Sequence, residues 1–221
     1  MGWSVRFKEG RGTPTHFCTV KRHYNFGMSE TEISTPTEFS LSGQLLIAMP
    51  NMLDPSFAGS VVYLCEHSGK GAMGLVINRP TDLPIEGLLE KINVDIEGYL
   101  PTHYPVMMGG PVAAERGFVL HTEPLNWNSS LKVNDEISLT TSRDILEAVA
   151  RGEAPGKWLI TLGYAGWGEG QLEEELAQNA WLTVSANHEI LFDTPLEERF
   201  ASAYAMLGID PALMSGSAGH A

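Results

Sequence analysis

The sequence predicts an α+β fold in a single domain, and three observations support this. Short apolar runs typical of buried strands alternate irregularly with amphipathic helical stretches. Several connections are only a few residues long, as in β-hairpins, instead of the long crossovers that a regular βα repeat requires. A chain of 221 residues can also bury a core without a metal or a disulfide. We therefore expect residues 41–210 to fold around one mixed or antiparallel sheet.

The predicted strands are runs rich in β-branched, aromatic and other apolar residues. They cover residues 44–49, 60–67, 74–78, 105–108, 117–121, 136–140, 157–163, 182–186 and 189–192. The tight sequence from Ser68 to Gly71 predicts a hairpin between the second and third runs, and Asn187-His188 predicts another. Since Val61 and Val62 are both apolar, we expect the strand over 60–67 to be covered on both faces.

Apolar residues at helical spacing predict four helices, over residues 84–92, 143–150, 169–181 and 194–207. Ser142 or Thr141 is the expected cap of the second helix. Thr194 followed by Pro195 is a typical start for the last helix, and Gly208 is its expected end.

The two ends of the chain differ from this central part. Residues 1–27 carry a net charge of +4, whereas residues 28–221 carry −17. The first segment is either a basic arm that binds something acidic or a stretch before a later start at Met28, and the charge change favours the later start. We expect residues 1–40 to be a disordered or wrongly assigned tail, and residues 211–221 to be a frayed end.

Composition excludes several functional classes. The net charge of −13 argues against a general binder of nucleic acid or anionic membranes, because phosphate binding needs clustered cations. Two cysteines cannot form a disulfide framework, and no apolar run approaches the roughly 18 residues that span a bilayer. The first twenty residues also lack the apolar core of a signal peptide. We therefore expect a cytoplasmic protein without membrane contact.

Cys65 and His67 are the candidate catalytic pair. In a regular strand, residues two apart lie on one face, and an imidazolium stabilises a neighbouring thiolate. This arrangement is compatible with a hydrolase or transferase that uses Cys65 as its nucleophile. The alternative is that Cys65 is a small buried apolar residue, which we favour because both faces of this strand are apolar. The seven histidines are scattered without a zinc-binding spacing, so we expect no metal.

The segment from Gly163 to Glu175 predicts a strand that feeds a helix through a glycine-rich turn. Such a turn can cradle a phosphate, but this one contains no lysine or arginine and is followed by glutamates that would repel an anion. The glycines allow a tight turn at which Tyr164 and Trp167 either pack or present a surface for a neutral ligand or a protein.

Three stretches carry a family resemblance: SGQLLIAMPNMLDPSFAGSVVYLCEHSGKGAMGLVINRP (42–80), MGGPV (108–112) and GYAGWGEGQLEEELAQNAWL (163–182). With these motifs the chain resembles the AlgH/YqgE family of uncharacterised bacterial proteins. The resemblance implies a sheet curled into a pseudo-barrel with helices packed outside, a cytosolic setting and no known cofactor. It supplies no catalytic residue, and some members carry the label of transcriptional regulators.

The resemblance also supplies the candidate surface residues, which we expect to meet around one shared surface. Besides Cys65 and His67 they are Asp54, Glu66, Asn78, Arg79, Gly109, Gly110, Tyr164, Gly166, Trp167, Gln171 and Asn179. Our first hypothesis is a non-enzymatic protein that binds a protein or small molecule through this surface. The second is the Cys65–His67 enzyme. The third is a transcriptional regulator that acts indirectly, because the acidic body offers no basic stripe for DNA.

Overall fold

A computed structural model describes residues 3–4, 40–100, 104–122, 127–154 and 156–209. The strands in these ranges are β1 Gln44–Ala48, β2 Val61–Ser68, β3 Gly71–Val76, β4 Pro80–Pro84, β5 Pro105–Met108, β6 Val112–Thr122, β7 Ser130–Lys132, β8 Ile137–Thr140, β9 Trp158–Trp167 and β10 Trp181–Ser185. The helices are α1 Ile85–Lys91, α2 Arg143–Ala150, α3 Gln171–Ala177 and α4 Arg199–Met206, with a π-helical turn at Glu189–Asp193.

The strands form one curled sheet in the order β10-β1-β2-β3-β9-β6-β8-β7. A side branch joins it, in which β4 pairs with β5 and β5 pairs with β9. The β5–β9 pair is parallel and the other named pairs are antiparallel. The predicted α+β class and the curled sheet that the resemblance implies are therefore confirmed.

The sheet forks at β9, where three glycines bring backbones into contact. Along one edge, β9 pairs first with β5 at Thr161–Leu162 and then with β3 at 165–167. At the junction, a Cβ atom on Gly109 or Gly110 would overlap the backbone of Gly163 or Tyr164, and one on Gly163 would overlap the carbonyl of Gly110. Gly163 also has φ +73°, a conformation that L-residues rarely adopt. Only residues without a side chain allow this approach.

Three apolar clusters cover the two faces of the forked sheet. The α4 cluster lies on one face and includes Leu45, Tyr63, Cys65, Leu75, Leu159 and Tyr204. The opposite face is divided between an α1–α2 cluster, with Ile85, Leu89, Ile145 and Ile160, and an α3 cluster, with Leu46, Val62, Trp167, Leu172 and Trp181. Strand β2 is thus buried on both faces, as predicted. Each branch of the fork has its own helical cover.

The glycine-rich segment after Gly163 differs from the prediction of a turn. Strand β9 continues to Trp167 because residues 165–167 pair with β3, and the turn is confined to residues 168–170. Helix α3 is shorter than predicted and ends at Ala177. Trp181 does not complete a helical stripe, because it begins β10 and pairs with Ala48 of β1. Pairing with distant strands, which local spacing cannot show, decides these boundaries.

Other elements also depart from the sequence prediction. The hairpin expected around Asn187-His188 is wrong, because Glu189–Asp193 forms a π-helical turn instead of a strand. The last helix begins at Arg199 rather than directly after Thr194. Strand β4 was not predicted, since it is an edge strand with proline at both ends. Strand β7 has only three residues, too few for a sequence pattern.

Two residues of the predicted tail, Trp3 and Ser4, lie against the sheet. Trp3 joins the α1–α2 cluster, and Ser4 forms an antiparallel bridge with Arg116 of β6. This contact differs from the prediction that no structure precedes Leu41. The start at Met28, the remainder of the tail to residue 39 and the predicted frayed end at 211–221 lie outside the described residues. None of the helices in the described ranges is long and apolar enough to cross a bilayer.

We expect Gly163→Ala to be strongly destabilising, by about 3 kcal/mol or more, because the methyl group meets backbone atoms that cannot move without opening the fork. Gly170→Ala is the matched control, since Gly170 has φ +72° but nothing within 4 Å of its added Cβ. That variant should lose only about 1 kcal/mol of stability, which is the cost of placing an L-residue in the left-handed conformation. Urea unfolding of both variants measures the difference, and equal losses would contradict a role for close backbone approach.

Candidate functional site

Cys65 is a core residue on the opposite sheet face from His67. Between Leu64 and Glu66, β2 has one residue that lacks a partner in β3, so Cys65 forms a β-bulge. Cys65 consequently faces the α4 cluster, whereas His67 lies opposite Ala72, which packs against the α3 cluster. The expectation that Cys65 and His67 share a face is therefore wrong. Cys65 is 2% exposed, and burial raises the pKa of its thiol well above the usual range.

Both ring nitrogens of His67 contact groups within the fold. Its Nδ1 atom accepts a hydrogen bond from the backbone N–H of Leu41 at 3.0 Å, so the proton of the neutral ring is on Nε2. Nε2 lies 2.9 Å from Oε1 of Glu173 at the start of α3. The pKa of Glu173 is lowered chiefly by the hydrogen bond from its own backbone N–H; burial opposes this effect, and the hydrogen bond and charge of His67 lower the pKa further. The imidazole thus ties the end of β2 to α3 and to the chain before β1.

Glu175 of α3 organises the aromatic residues of the motifs. Its Oε2 accepts hydrogen bonds from the indole N–H groups of Trp167 at 2.9 Å and Trp181 at 2.7 Å. Its Oε1 accepts a third from the side-chain amide of Gln171 at 2.9 Å. The two indoles pack edge to face with centroids 6.0 Å apart, and Phe57 contacts both rings. Trp167 therefore packs inward instead of presenting a ring to solvent.

Gln171 and Asn179 define the two ends of α3. The side-chain oxygen of Gln171 accepts the backbone N–H of Gly168 at 3.0 Å, which closes the turn after β9. Asn179 follows the helix with φ +55°, the left-handed conformation that commonly ends helices. Both candidate residues therefore shape the backbone.

Asn78 and Arg79 hold the loop over residues 50–59. Asn78 accepts the N–H of Val61 at 2.9 Å and donates to the carbonyl of Gly59 at 2.9 Å. The guanidinium of Arg79 donates to the carbonyls of Pro55, Ser56 and Ala58. Within the loop, Oδ1 of Asp54 accepts the N–H of Ser56 at 2.7 Å, a turn typical of aspartate. The loop backbone is therefore tightly held although several of its side chains are exposed.

The remaining candidates lie at the fork or on its other face. Gly109 and Gly110 are the closely approached glycines, and Gly166 pairs with Met73 of β3. Tyr164 is half-buried in the α4 cluster, with its ring 5.6 Å from that of Phe118. Tyr164 and Trp167 thus pack on opposite sheet faces, so the alternative in which the two present one shared surface is wrong. Glu66 is half-buried beside the bulge.

The end of the β2–β3 hairpin and the turn after β9 are adjacent, although the candidate residues do not all share one surface. Ala72 pairs with Trp167, and a Cβ on Gly71 would overlap the Trp167 carbonyl, so the hairpin end adjoins the turn after β9. Phe57 connects the 50–59 loop to the same place. We refer to the 50–59 loop, residues 69–70, residues 168–170 and α3 together as the motif platform.

The exposed part of the platform carries one large apolar side chain, several acids and Lys70. Leu53 is 93% exposed at the tip of the loop. The half-buried residues Met52, Phe57, Leu176 and Ala180 pack against the α3 cluster below. The exposed acids are Asp54, Glu169, Glu173 and Glu174. The platform therefore combines a rigid scaffold with one protruding apolar side chain.

A separate cavity of about 360 Å³ was missed by the sequence reasoning. Tyr63, Asn134, Glu136 and His188 line it, from β2, the β7–β8 turn and the residue before the π-helical turn. His188 Nε2 lies 3.0 Å from Glu136 Oε2 without forming a hydrogen bond, and the amide of Asn134 lies 3.4 Å from the Tyr63 hydroxyl. No sequence motif marks the cavity, because its residues are far apart in the chain. Nor do the described residues contain a cluster of three or more side chains suited to a metal ion.

Comparisons with known proteins agree on one family. A family model described as AlgH-like matches residues 45–212. A UPF0301 protein of Burkholderia ambifaria is 56% identical over 194 residues, which cover 86% of this chain and all of the relative. A UPF0301 protein of Burkholderia multivorans is 55% identical over 192 residues, with the same coverage.

Two solved structures resemble the chain. The solution structure of AlgH from Pseudomonas aeruginosa is 48% identical with a TM-score of 0.68, and the match covers 86% of this chain and all of that one. The crystal structure of protein DIP2367 from Corynebacterium diphtheriae is 17% identical with a TM-score of 0.64, covering 84% and 95% of the two chains. The second shows similarity of fold alone.

We expect Cys65 to resist alkylation in the folded protein. In a Cys18→Ser background, where Cys65 is the single thiol, labelling should be negligible at neutral pH and complete only after denaturation, because the buried sulfur stays protonated. Rapid native labelling with a midpoint below the free-thiol value of about 8.5 would restore Cys65 as a nucleophile.

We expect Glu175→Ala to destabilise the fold by about 2 kcal/mol, because two buried indole N–H groups and one amide lose their acceptor. Glu174→Ala is the matched control one residue earlier on the exposed side of α3, and should change stability by less than about 0.5 kcal/mol. Denaturant unfolding measures both values, and a small loss in Glu175→Ala would contradict the structural role of this carboxylate.

Proposed function

The chain belongs to the AlgH-like family, and from that premise we propose that it is a cytoplasmic, non-enzymatic protein that binds a partner protein through the motif platform. The burial of Cys65 and its separation from His67 count against the hydrolase or transferase alternative. The hydrogen bonds of His67 to Leu41 and Glu173 account for that residue without catalysis.

The observation that carries the proposal is that several side chains fix the backbone of the 50–59 loop, although this loop exposes Leu53 to solvent. Arg79 donates to three loop carbonyls and Asn78 to a fourth, while Phe57 anchors the loop between Trp167 and Trp181. A large apolar side chain in water gains nothing for folding. Because the loop backbone is already held, the side chain can enter a partner's pocket with little further loss of backbone conformational entropy.

The chemistry around Leu53 indicates the kind of partner. The apolar side chains next to it would be covered by an apolar surface, and the exposed acids, Asp54 among them, would pair with basic groups at the rim. The expected partner is therefore a protein with an apolar pocket bordered by lysine or arginine. The excess of acid over base in residues 28–221 favours the same complementarity.

This proposal also accommodates the regulatory label that the resemblance suggested. An acidic domain with a net charge of −17 over residues 28–221 is poorly suited to contact DNA directly. An effect on transcription would then be indirect, through a bound protein. A small molecule is the weaker alternative, because none of the candidate motif residues lines the cavity around Tyr63.

We expect Leu53→Ala to weaken partner binding by about 2 kcal/mol, or roughly 30-fold, without changing stability. The partner is identified by photo-crosslinking from a residue of the 50–59 loop, and its affinity for purified variants is then measured by titration calorimetry. Tyr99→Ala is the matched control, because Tyr99 is 86% exposed in another loop and should leave affinity unchanged. Equal affinities of the wild type and Leu53→Ala would overturn the proposal.

A further inference from the structure

Strand β6 has an open edge near its middle. One edge pairs with β9, but on the other edge β8 pairs only with residues 119–122. After Thr140 the chain leaves the sheet to begin α2, so the edge beside Arg116 and Gly117 is available to another segment. Such an edge exposes unpaired backbone N–H and C=O groups that an extended peptide can satisfy.

The N-terminal residues Trp3 and Ser4 pair with this edge. Ser4 bridges Arg116 in antiparallel fashion, and the N–H of Gly117 donates to the carbonyl of Trp3 at 3.2 Å. The N–H of Trp3 donates in turn to the carbonyl of Thr141 at 3.3 Å, directly after β8. The segment therefore lies where β8 would have continued.

The indole of Trp3 fills a recess that a glycine creates. A Cβ on Gly117 would overlap the ring, and the side chain is 5% exposed within the α1–α2 cluster. Burial of a tryptophan removes roughly 150–250 Å² of side chain from water, which is a large gain for so short a segment. The recess thus accommodates the apolar body of a large aromatic side chain, but among the described residues it offers no acceptor for the indole N–H of Trp3.

Charge supports the same occupant. Residues 1–27 carry +4 and the remainder of the chain −17, so the N-terminal segment is attracted to the acidic domain. In strand addition to a sheet edge, backbone hydrogen bonds supply affinity and a side-chain pocket supplies specificity, and here opposite charge favours association as well.

We propose that the β6 edge and the recess over Gly117 form a docking groove for an extended peptide with a large aromatic side chain. In this chain its own N-terminal segment, Trp3-Ser4, occupies the groove as a tethered ligand. The groove is distinct from the motif platform, and the proposal does not depend on the function assigned to that platform.

The test adds the docking segment in trans. A peptide of residues 1–12, labelled at its C-terminus, is titrated with full-length wild type and with full-length Trp3→Ala, and fluorescence anisotropy reports binding. Trp3→Ala should bind the peptide saturably. Wild type should bind at least about tenfold more weakly, because the tethered segment competes at high effective concentration. A peptide with alanine in place of Trp3 should bind neither protein.

Two further results decide the proposal. Adding Gly117→Val to the Trp3→Ala chain should abolish peptide binding, because the new side chain fills the recess. Failure of Trp3→Ala to bind the peptide, or equal binding of the tryptophan and alanine peptides, would overturn the groove. Gel filtration tests whether each chain fills its own groove. If wild type is a dimer and Trp3→Ala is a monomer, the groove is occupied by the N-terminal segment of a second copy, and the proposed intramolecular occupation is overturned.

Discussion

The close approach of backbones at the β9 fork is the constraint on which the rest of the structure depends. Gly109, Gly110 and Gly163 allow β5 and β3 to reach the same edge of β9 in succession. At Gly163, which has a positive φ, the alternation of β9 side chains between the two sheet faces shifts by one residue. Leu159 and Tyr164 both face the α4 cluster, although five residues in a regular strand would place them on opposite faces. One continuous face can therefore be covered by α4, while the other is divided between two helical layers.

Many polar side chains in the motifs act on the backbone. Arg79 satisfies carbonyls in a loop, and Arg199, whose pKa burial lowers, donates to the carbonyls of Thr194 and Ile77 beside α4. Glu175 accepts from the two indoles of the platform. Charged groups make strong hydrogen bonds, and leaving such donors or acceptors unpaired is costly. A family motif rich in Arg, Glu, Asn and Gly can therefore reflect an irregular backbone that these residues stabilise, as readily as it can indicate an active site.

The two proposed interaction surfaces follow different physical principles. In the motif platform, the well-held 50–59 loop exposes Leu53 on a surface that also carries acidic groups. This surface suits a pre-formed apolar pocket in a partner. The groove at β6 is an unpaired strand edge with an aromatic recess, and it suits an extended peptide. Strand β9 connects them, because Trp167 underlies the platform and Leu162 pairs with Gly117 at the groove.

Local pattern in the sequence determined the α+β class, the β2–β3 hairpin, helices α1 and α2 and the burial of β2 on both faces. These features depend on hydrophobic periodicity and turn residues within a few positions. Only the tertiary structure decided that Cys65 and His67 face opposite ways, because a bulge is defined by the register with a partner strand. It likewise decided that residues 165–167 are strand, that Trp181 begins β10, and that Trp3 lies over Gly117. For residues 165–167, Trp181 and Trp3 the deciding partner is distant in the chain, whereas the bulge depends on the register within the β2–β3 hairpin. Spacing along one segment encodes neither.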